Sequence, residues 1–386
     1  LLRAKSGLAP EHWTKGIALM RNHSTTQNEK RSALVVGGAQ YLGRYVVEKL
    51  LAQGQIVHIY DDREAPRPIN SRAIWHKGDI RDYETLAPAC RGVDTVYHVA
   101  ELSGFHGKRE DFFNFNSRGT ANVIRACVEN KVSRLIYSST PAVLYGKAQR
   151  HFCNIDESTP YPRRYDSPCP ASKAVAEKMV LAADNWEMVI RKKADEIPAG
   201  SLIDTEIRRL STCAIRPHFV YGPGEPLVVP WLLQQARKNR LRQVGNGDNL
   251  AHLTHVGNAA DALITAADRL TPDSSIAGHV IHIADGDPVN LWEWINEILK
   301  ECGLAAVTKK RSCKTARRIG ALEEWFRKIF PVHSEPGMTR FLASMLGGSH
   351  YSDLHYARSE LGYAPAVNLT TGTDELVKWI KAELLK

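Results

Sequence analysis

The stretch VVGGAQYLGRYVV (Val35–Val47) decides the fold. An apolar run, SALVV, leads into Gly37 and Gly38, and RYVVEKLLAQG then leaves with helical spacing and a glycine stop at Gly54. A strand that turns through glycines into a helix is a phosphate-binding corner. The glycines permit a tight turn and let backbone N–H groups and the helix N-terminus meet a pyrophosphate. Gly37, Gly38, Gln40, Tyr41, Leu42 and Gly43 are therefore the candidate pyrophosphate contacts. The second strand, QIVHIYDD, closes on Asp61, backed by Asp62, where a carboxylate accepts ribose hydroxyls. That charge repels a 2′-phosphate and favours NAD, while Arg63 and Arg44 keep NADP open.

The fingerprint has one departure. Glycines at 37, 40 and 43 would complete it, and position 40 is Gln40. A side chain there intrudes where the backbone approaches phosphate, and a positive φ is costly for glutamine. A nucleotide site that tolerates Gln40 and a ligand-free strand–turn–helix corner both remain open.

Outward from this corner the β-α-β alternation continues. DTVYHVAE and VSRLIYSST read as strands and TANVIRACVENK as the helix between them, which predicts an α/β, Rossmann-type, doubly wound parallel sheet. The expected organisation is an N-terminal extension (1–31), a dinucleotide-binding domain (32–220) and a smaller C-terminal lobe (221–386) with segments returning to the sheet. NWEMVIRKKADEIPAGSLIDTEIRR reads as a polar insertion at about 184–209. In the lobe, VVPWLLQQARKN, GNAADALITAADRL and LWEWINEILKECG are expected helices and GHVIHIAD a strand.

Composition narrows the class. Charged residues are 24% and hydrophobic ones 43%, as in a globular chain of 386 residues with a large core. Seven cysteines without a CxxC pair argue against a zinc site or a disulfide framework, so no metal is expected. The net charge of +9 is concentrated partly in the N-terminal arm and in KKRSCKTARR (Lys309–Arg318). No aromatic–basic interleaving accompanies it, so nucleic acid is not expected as a partner.

Several of these motifs, in order, resemble the extended short-chain dehydrogenases, in their 3β-hydroxysteroid dehydrogenase and sterol-4α-carboxylate 3-dehydrogenase branch. VVGGAQYLG is similar to the nucleotide loop, GDIRD (Gly78–Asp82) to the adenine-contacting segment, and VYHVAELSG to the loop beside the cofactor ribose. NSRGTANVIRACVENKVSRLIYSS, IRPHFVYGPGE, GHVIHIADGDPVNLWEWINEILKECG and ARSELGYAPAVNLTTGTDELVKWIK match in turn, covering about residues 33–383. The resemblance implies that Asp79, Ile80, Ala100, Lys173 and Pro217 join the cofactor contacts.

It also implies a Ser/Thr–Tyr–Lys set. The phenol exchanges a proton with the substrate alcohol, the lysine holds the nicotinamide ribose, and the hydroxyl orients the substrate oxygen. Lys173, in RYDSPCPASKAVAEK (Arg164–Lys178), matches the lysine, and Thr140 matches the hydroxyl residue, with Ser139 beside it. The tyrosine position, one helical turn before the lysine, is Cys169. A thiol has a suitable pKa beside an ammonium, but its sulfur lies about 3–4 Å nearer the backbone than a phenol oxygen. Tyr161 and Tyr165 lie upstream in a Pro-punctuated loop, with the helix expected to start at Pro170.

These departures point to an NAD- or NADP-binding, dehydrogenase-like protein that has lost its activity. It would serve as an accessory subunit of a larger mitochondrial assembly, similar to the short-chain-dehydrogenase-like subunit of respiratory complex I. The alternative is an active NAD-dependent 3β-hydroxysteroid or 4α-carboxysterol dehydrogenase with an altered proton donor. A chain starting at Leu1 with a basic, acid-poor arm fits a processed mitochondrial presequence or an arm that wraps a partner. Cytoplasm or the endoplasmic-reticulum surface is the alternative location. TARRIGALEEWFRKIF (Thr315–Phe330) places Ile319, Leu322, Phe326, Ile329 and Phe330 on an amphipathic helix. The segment 309–330 is accordingly expected to pack on its own lobe, to contact an anionic membrane surface or to dock on a partner.

Overall fold

The structure is a computed structural model that describes residues 31–65, 72–147, 151–191, 205–330 and 335–385. Most of the expected N-terminal extension and the middle of the insertion lie outside the described residues.

Five short runs, apolar on both sides except at the edge strand Ala73–Lys77, build the first half of the central sheet. They are β1 (Ser32–Val36), β2 (Ile56–Asp61), β3 (Ala73–Lys77), β4 (Thr95–His98) and β5 (Arg134–Ser138). Leu34, Val35 and Val36 have no exposed surface, as a strand covered by helices on both faces requires. Beyond β5 the sheet continues with Thr205–Pro217 and Val280–Ile283, so its order reads Val280–Ile283, Thr205–Pro217, β5, β4, β1, β2, β3, with all these neighbours parallel. The order reverses between β1 and β4, and the loops after these two strands frame the crevice where ligands of such sheets sit.

The insertion is not a loose excursion. Trp186–Arg191 pairs antiparallel with the first half of Thr205–Pro217, from Trp186 opposite Leu210 to Arg191 opposite Thr205. Its polar sequence hid alternating strand character, and Trp186, Val189 and Ile207 of this ribbon are exposed.

The C-terminal lobe has its own core, in which Trp231, Trp292, Trp294 and Leu299 pack with Leu342 and Leu346. The helix predicted to begin at Pro170 runs Pro168–Ala182 instead. Ser167 caps it, accepting a hydrogen bond from the Cys169 N–H, and both prolines fit because the first turn needs no intrahelical donor.

One buried ion pair ties this helix to the sheet. Arg216, at the end of Thr205–Pro217, donates through Nε to Glu177 Oε2 at 2.9 Å and through Nη2 to Glu177 Oε1 at 2.6 Å. The two side chains are 1% and 0% exposed. Tyr161 donates to Glu177 Oε1 at 2.5 Å, and Arg216 Nη1 lies 3.2 Å from His282 Nε2, which satisfies more of the buried valences. Removing one partner leaves an uncompensated buried charge. Arg216→Met is therefore expected to destabilise the fold by about 3–5 kcal/mol in urea unfolding, and Glu177→Leu on the same background to return part of that loss.

Candidate active site

The corner after β1 is held by close approach rather than by side chains. Gly37 has φ 87°, and a Cβ there would lie 2.6 Å from Ala100 Cα in the loop after β4. Gly43 faces a tighter limit, since its Cβ would fall 2.1 Å from the Gly37 carbonyl oxygen. The first helix, Tyr41–Ala52, therefore starts directly against the loop.

Gln40 sits at the N-cap with φ −79° and ψ 169°, ordinary extended backbone, so the expected strain at this position is absent. Its side chain makes no capping hydrogen bond and no acidic residue occupies the helix's first turn. The helix N-terminus thus has no anionic or capping group of its own, which suits an anion from outside.

Asp61 is buried at the tip of β2 and holds the corner in place. Its Oδ2 accepts from the Ala39 N–H at 3.1 Å and its Oδ1 from the Arg63 N–H at 3.2 Å. Burial raises its pKa, with those two amides acting in the opposite sense. Arg63 Nη1 donates to the Ala39 carbonyl at 3.0 Å and covers the same corner. Tyr41 packs its ring near Gly224 and Leu42 packs into the sheet core, so these two contribute backbone to the corner while their side chains serve the scaffold.

At the expected adenine segment, Asp79 pairs with Arg81, whose Nε lies 2.9 Å from Oδ1, and that hydrogen bond holds the Asp79 carboxyl below its usual range. The Ile80 carbonyl accepts from Asn122 Nδ2 at 2.9 Å, and its side chain fills the space beside Gly119. Pro217 closes its strand opposite Ile283.

Cys169 and Lys173 lie one turn apart on the Pro168–Ala182 helix. The Lys173 side chain is 3% exposed, and Nζ donates to Glu101 Oε2 at 2.5 Å and to the Ser138 carbonyl at 2.8 Å. Its ammonium also stands 5.2 Å from the centre of the Tyr137 ring. Burial alone would pull the Lys173 pKa down, but Glu101 beside it, then Tyr137, hold it above the usual value. The lysine is therefore a fixed cation, not a solvent-facing one.

The Cys169 thiol is pushed up to about 12, first by burial and then by Glu101, with Lys173 pulling the other way. Its sulfur lies 3.8 Å from the Leu102 carbonyl oxygen. A neutral thiol at this position is a poor base and a short-reaching donor. The two upstream tyrosines are engaged elsewhere. Tyr165 donates to the Val143 carbonyl at 2.7 Å and Tyr161 is engaged with Glu177.

Thr140 sits at the N-cap of the turn Pro141–Leu144, its oxygen accepting from the Ala142 N–H at 3.3 Å. The adjacent Ser139 is buried, and its Oγ has no hydrogen-bond partner among the described residues. Accepting at the cap leaves the Thr140 O–H able to donate, while the unpaired Ser139 hydroxyl is buried.

Three contributors escaped the sequence reading. Glu101 is the largest omission, although its place directly behind the β4 strand was a usable signal. Asn116 is the second. It accepts from the Leu102 N–H at 2.8 Å and donates to the Leu102 carbonyl at 3.1 Å and to Ser172 Oγ at 2.9 Å, clamping the post-β4 loop to the helix. The third is Glu177, whose pairing with Arg216 nothing in the motif announced.

Comparison with known proteins agrees with this geometry. Residues 34–312 match the 3-beta hydroxysteroid dehydrogenase/isomerase family. The chain is 33% identical over 343 residues to a 2-alkyl-3-oxoalkanoate reductase of Stenotrophomonas maltophilia, spanning 89% of this chain and 97% of that protein. It is 29% identical to the human sterol-4-alpha-carboxylate 3-dehydrogenase, over 91% of this chain and 89% of the relative. Among solved structures, the dTDP-glucose 4,6-dehydratase DesIV of Streptomyces venezuelae, with NAD bound, shares the fold at TM-score 0.65 and 22% identity, covering 91% of this chain and 97% of its own. The chain belongs to the 3-beta hydroxysteroid dehydrogenase/isomerase family, and its fold is that of the extended short-chain dehydrogenases.

The thiol's environment gives a direct check. At about pH 8 a soluble alkylating agent is expected to modify the exposed Cys153 at least tenfold faster than Cys169, read by peptide mass over time. Labelling of Cys169 at the Cys153 rate would show a thiolate at the phenol position.

Proposed function

We propose that this chain binds NAD in the crevice between the β1 and β4 loops and has lost most of the family's alcohol–ketone oxidoreduction. The observation that carries the reading is Cys169: a protonated thiol at the phenol position, beside a lysine already held by Glu101.

The residues present fit a dinucleotide. Gly37 and Gly43 leave a cradle that a Cβ would fill, and the first helix offers an N-terminus free of capping carboxylates. Asp61 presents a buried carboxylate for ribose hydroxyls, and Lys173 an ammonium for the nicotinamide ribose. NAD, when bound, supplies hydride transfer. Arg63 at the Asp61 corner keeps NADP within the proposal. Binding and orientation are thus provided for, whereas handing a proton to the substrate oxygen is not. General acid–base assistance contributes about 10²–10⁴-fold in rate.

A chain that holds a nucleotide without reacting acts through its surfaces. Membership of a larger assembly, in the mitochondrion on this reading, draws its support from the exposed Trp186, Val189 and Ile207 of the ribbon. The named activities of the relatives favour the second reading, an active enzyme with another proton route.

The decisive experiment measures both functions on one preparation. NAD is expected to raise the melting temperature of the wild type, and Asp61→Ala to abolish that rise. Turnover of 3-oxo or 3-hydroxy substrates is expected to be minimal in the wild type and to increase on the order of 100-fold in Cys169→Tyr. Brisk wild-type turnover that disappears in Lys173→Ala would establish the active reading instead.

A further inference from the structure

The crevice carries an acidic residue on each side of the Gly37 corner. Asp61 ends β2, and Glu101 lies in the loop after β4, directly following the Ala100 whose Cα limits Gly37. The strand order reverses between β1 and β4, and a dinucleotide lies across such a reversal. With Asp61 marking the adenosine side, the nicotinamide half falls on the side of Glu101 and Lys173.

Glu101 and Lys173 form a pair of unequal exposure. Glu101 Oε2 accepts from Nζ at 2.5 Å, and the lysine's second acceptor is the Ser138 carbonyl at 2.8 Å. The lysine side chain is 3% exposed and that of Glu101 38%. The second carboxylate oxygen, Oε1, takes no hydrogen bond among the described residues. A ligand entering on this side therefore meets the anion of the pair, with the cation walled in behind it. Two titratable neighbours of the lysine add no charge. His98 has its pKa lowered to about 3, first by burial and then by Lys173, and the Cys169 thiol stays protonated.

Oxidised and reduced nicotinamide are close in shape and differ by one unit of positive charge on the ring. The adenosine, the second ribose and the pyrophosphate are common to both forms, so neither Asp61 nor the helix N-terminus separates them. A carboxylate on the nicotinamide side does. Granted the reading of the crevice as a dinucleotide site, we propose that Glu101 selects the oxidised form, NAD⁺ over NADH. Opposite unit charges about 5–6 Å apart near a protein surface are worth roughly tenfold or more in binding, and the Lys173 ammonium behind the carboxylate offsets part of that.

The test is the ratio of the dissociation constants for NAD⁺ and NADH, measured by calorimetry on the full chain. A buffer at about pH 6 favours the charged form of Lys173 in every variant. The wild type is expected to bind NAD⁺ the more tightly, with a preference that shrinks as salt rises. Glu101→Gln, which keeps an oxygen for the Lys173 ammonium, should move the ratio toward NADH by roughly tenfold. Glu101→Asp keeps the charge and should keep the preference, whereas Asp61→Ala should weaken both forms alike. The wild-type ratio needs no variant to fold: equal affinity for the two forms overturns the proposal and leaves the dinucleotide site standing. A ratio that Glu101→Gln leaves in place does the same. Tighter binding of both forms by Glu101→Gln overturns it in favour of Glu101 as an obstruction. A wild type that binds neither form overturns the dinucleotide reading and the proposal with it.

Discussion

The buried pair of Arg216 and Glu177 sets the geometry on which the crevice depends. Glu177 lies one helical turn after Lys173, so the two share a face of the same helix. Fixing Glu177 onto the end of a sheet strand fixes the helix's rotation about its axis, and that rotation carries Lys173 to the Ser138 carbonyl at the end of β5. The pair also lies next to His282 on the outermost parallel strand, which the C-terminal half contributes. A hydrophobic contact could hold the helix against the sheet equally well. A bidentate guanidinium–carboxylate pair adds a defined angle, which a hydrophobic contact does not.

The scaffold was legible from the sequence because its signals are local. A buried strand, a glycine turn and a helix with a glycine stop can be read over twenty residues, and the parallel topology follows from their repetition. The strands inside the polar insertion were not legible because Trp186–Arg191 and Thr205–Pro217 stabilise each other through a ladder between distant residues. The start of the lysine helix was misplaced for a related reason. Two prolines suggested a boundary at the second, whereas the cap is the side chain of Ser167.

The site was half legible. Asp61 and the glycines follow from spacing within single segments, and Lys173 from the resemblance of one segment to a family motif. Glu101 and Asn116 act through contacts made between segments, which no spacing rule contains. The amphipathic helix near the C-terminus shows the same limit. Periodicity found an apolar stripe, but only packing could show that Gly320 and Ala316 bury the other side and leave most of the stripe outside.

The two departures from the dehydrogenase pattern therefore differ in weight. Gln40 changes a side chain at a place where the backbone keeps an unstrained extended conformation, so the amides of the helix N-terminus keep their direction. Cys169 puts a thiol where the resembled family has its proton-exchanging phenol, and its surroundings act on that thiol. Burial and Glu101 keep the thiol protonated, while the same Glu101 holds the Lys173 ammonium that would otherwise favour a thiolate. The carboxylate thus stabilises the Lys173 cation and disfavours a Cys169 thiolate. On the proposed reading, binding and reaction are separable in this chain because one acidic residue bears on the lysine and on the thiol in opposite senses.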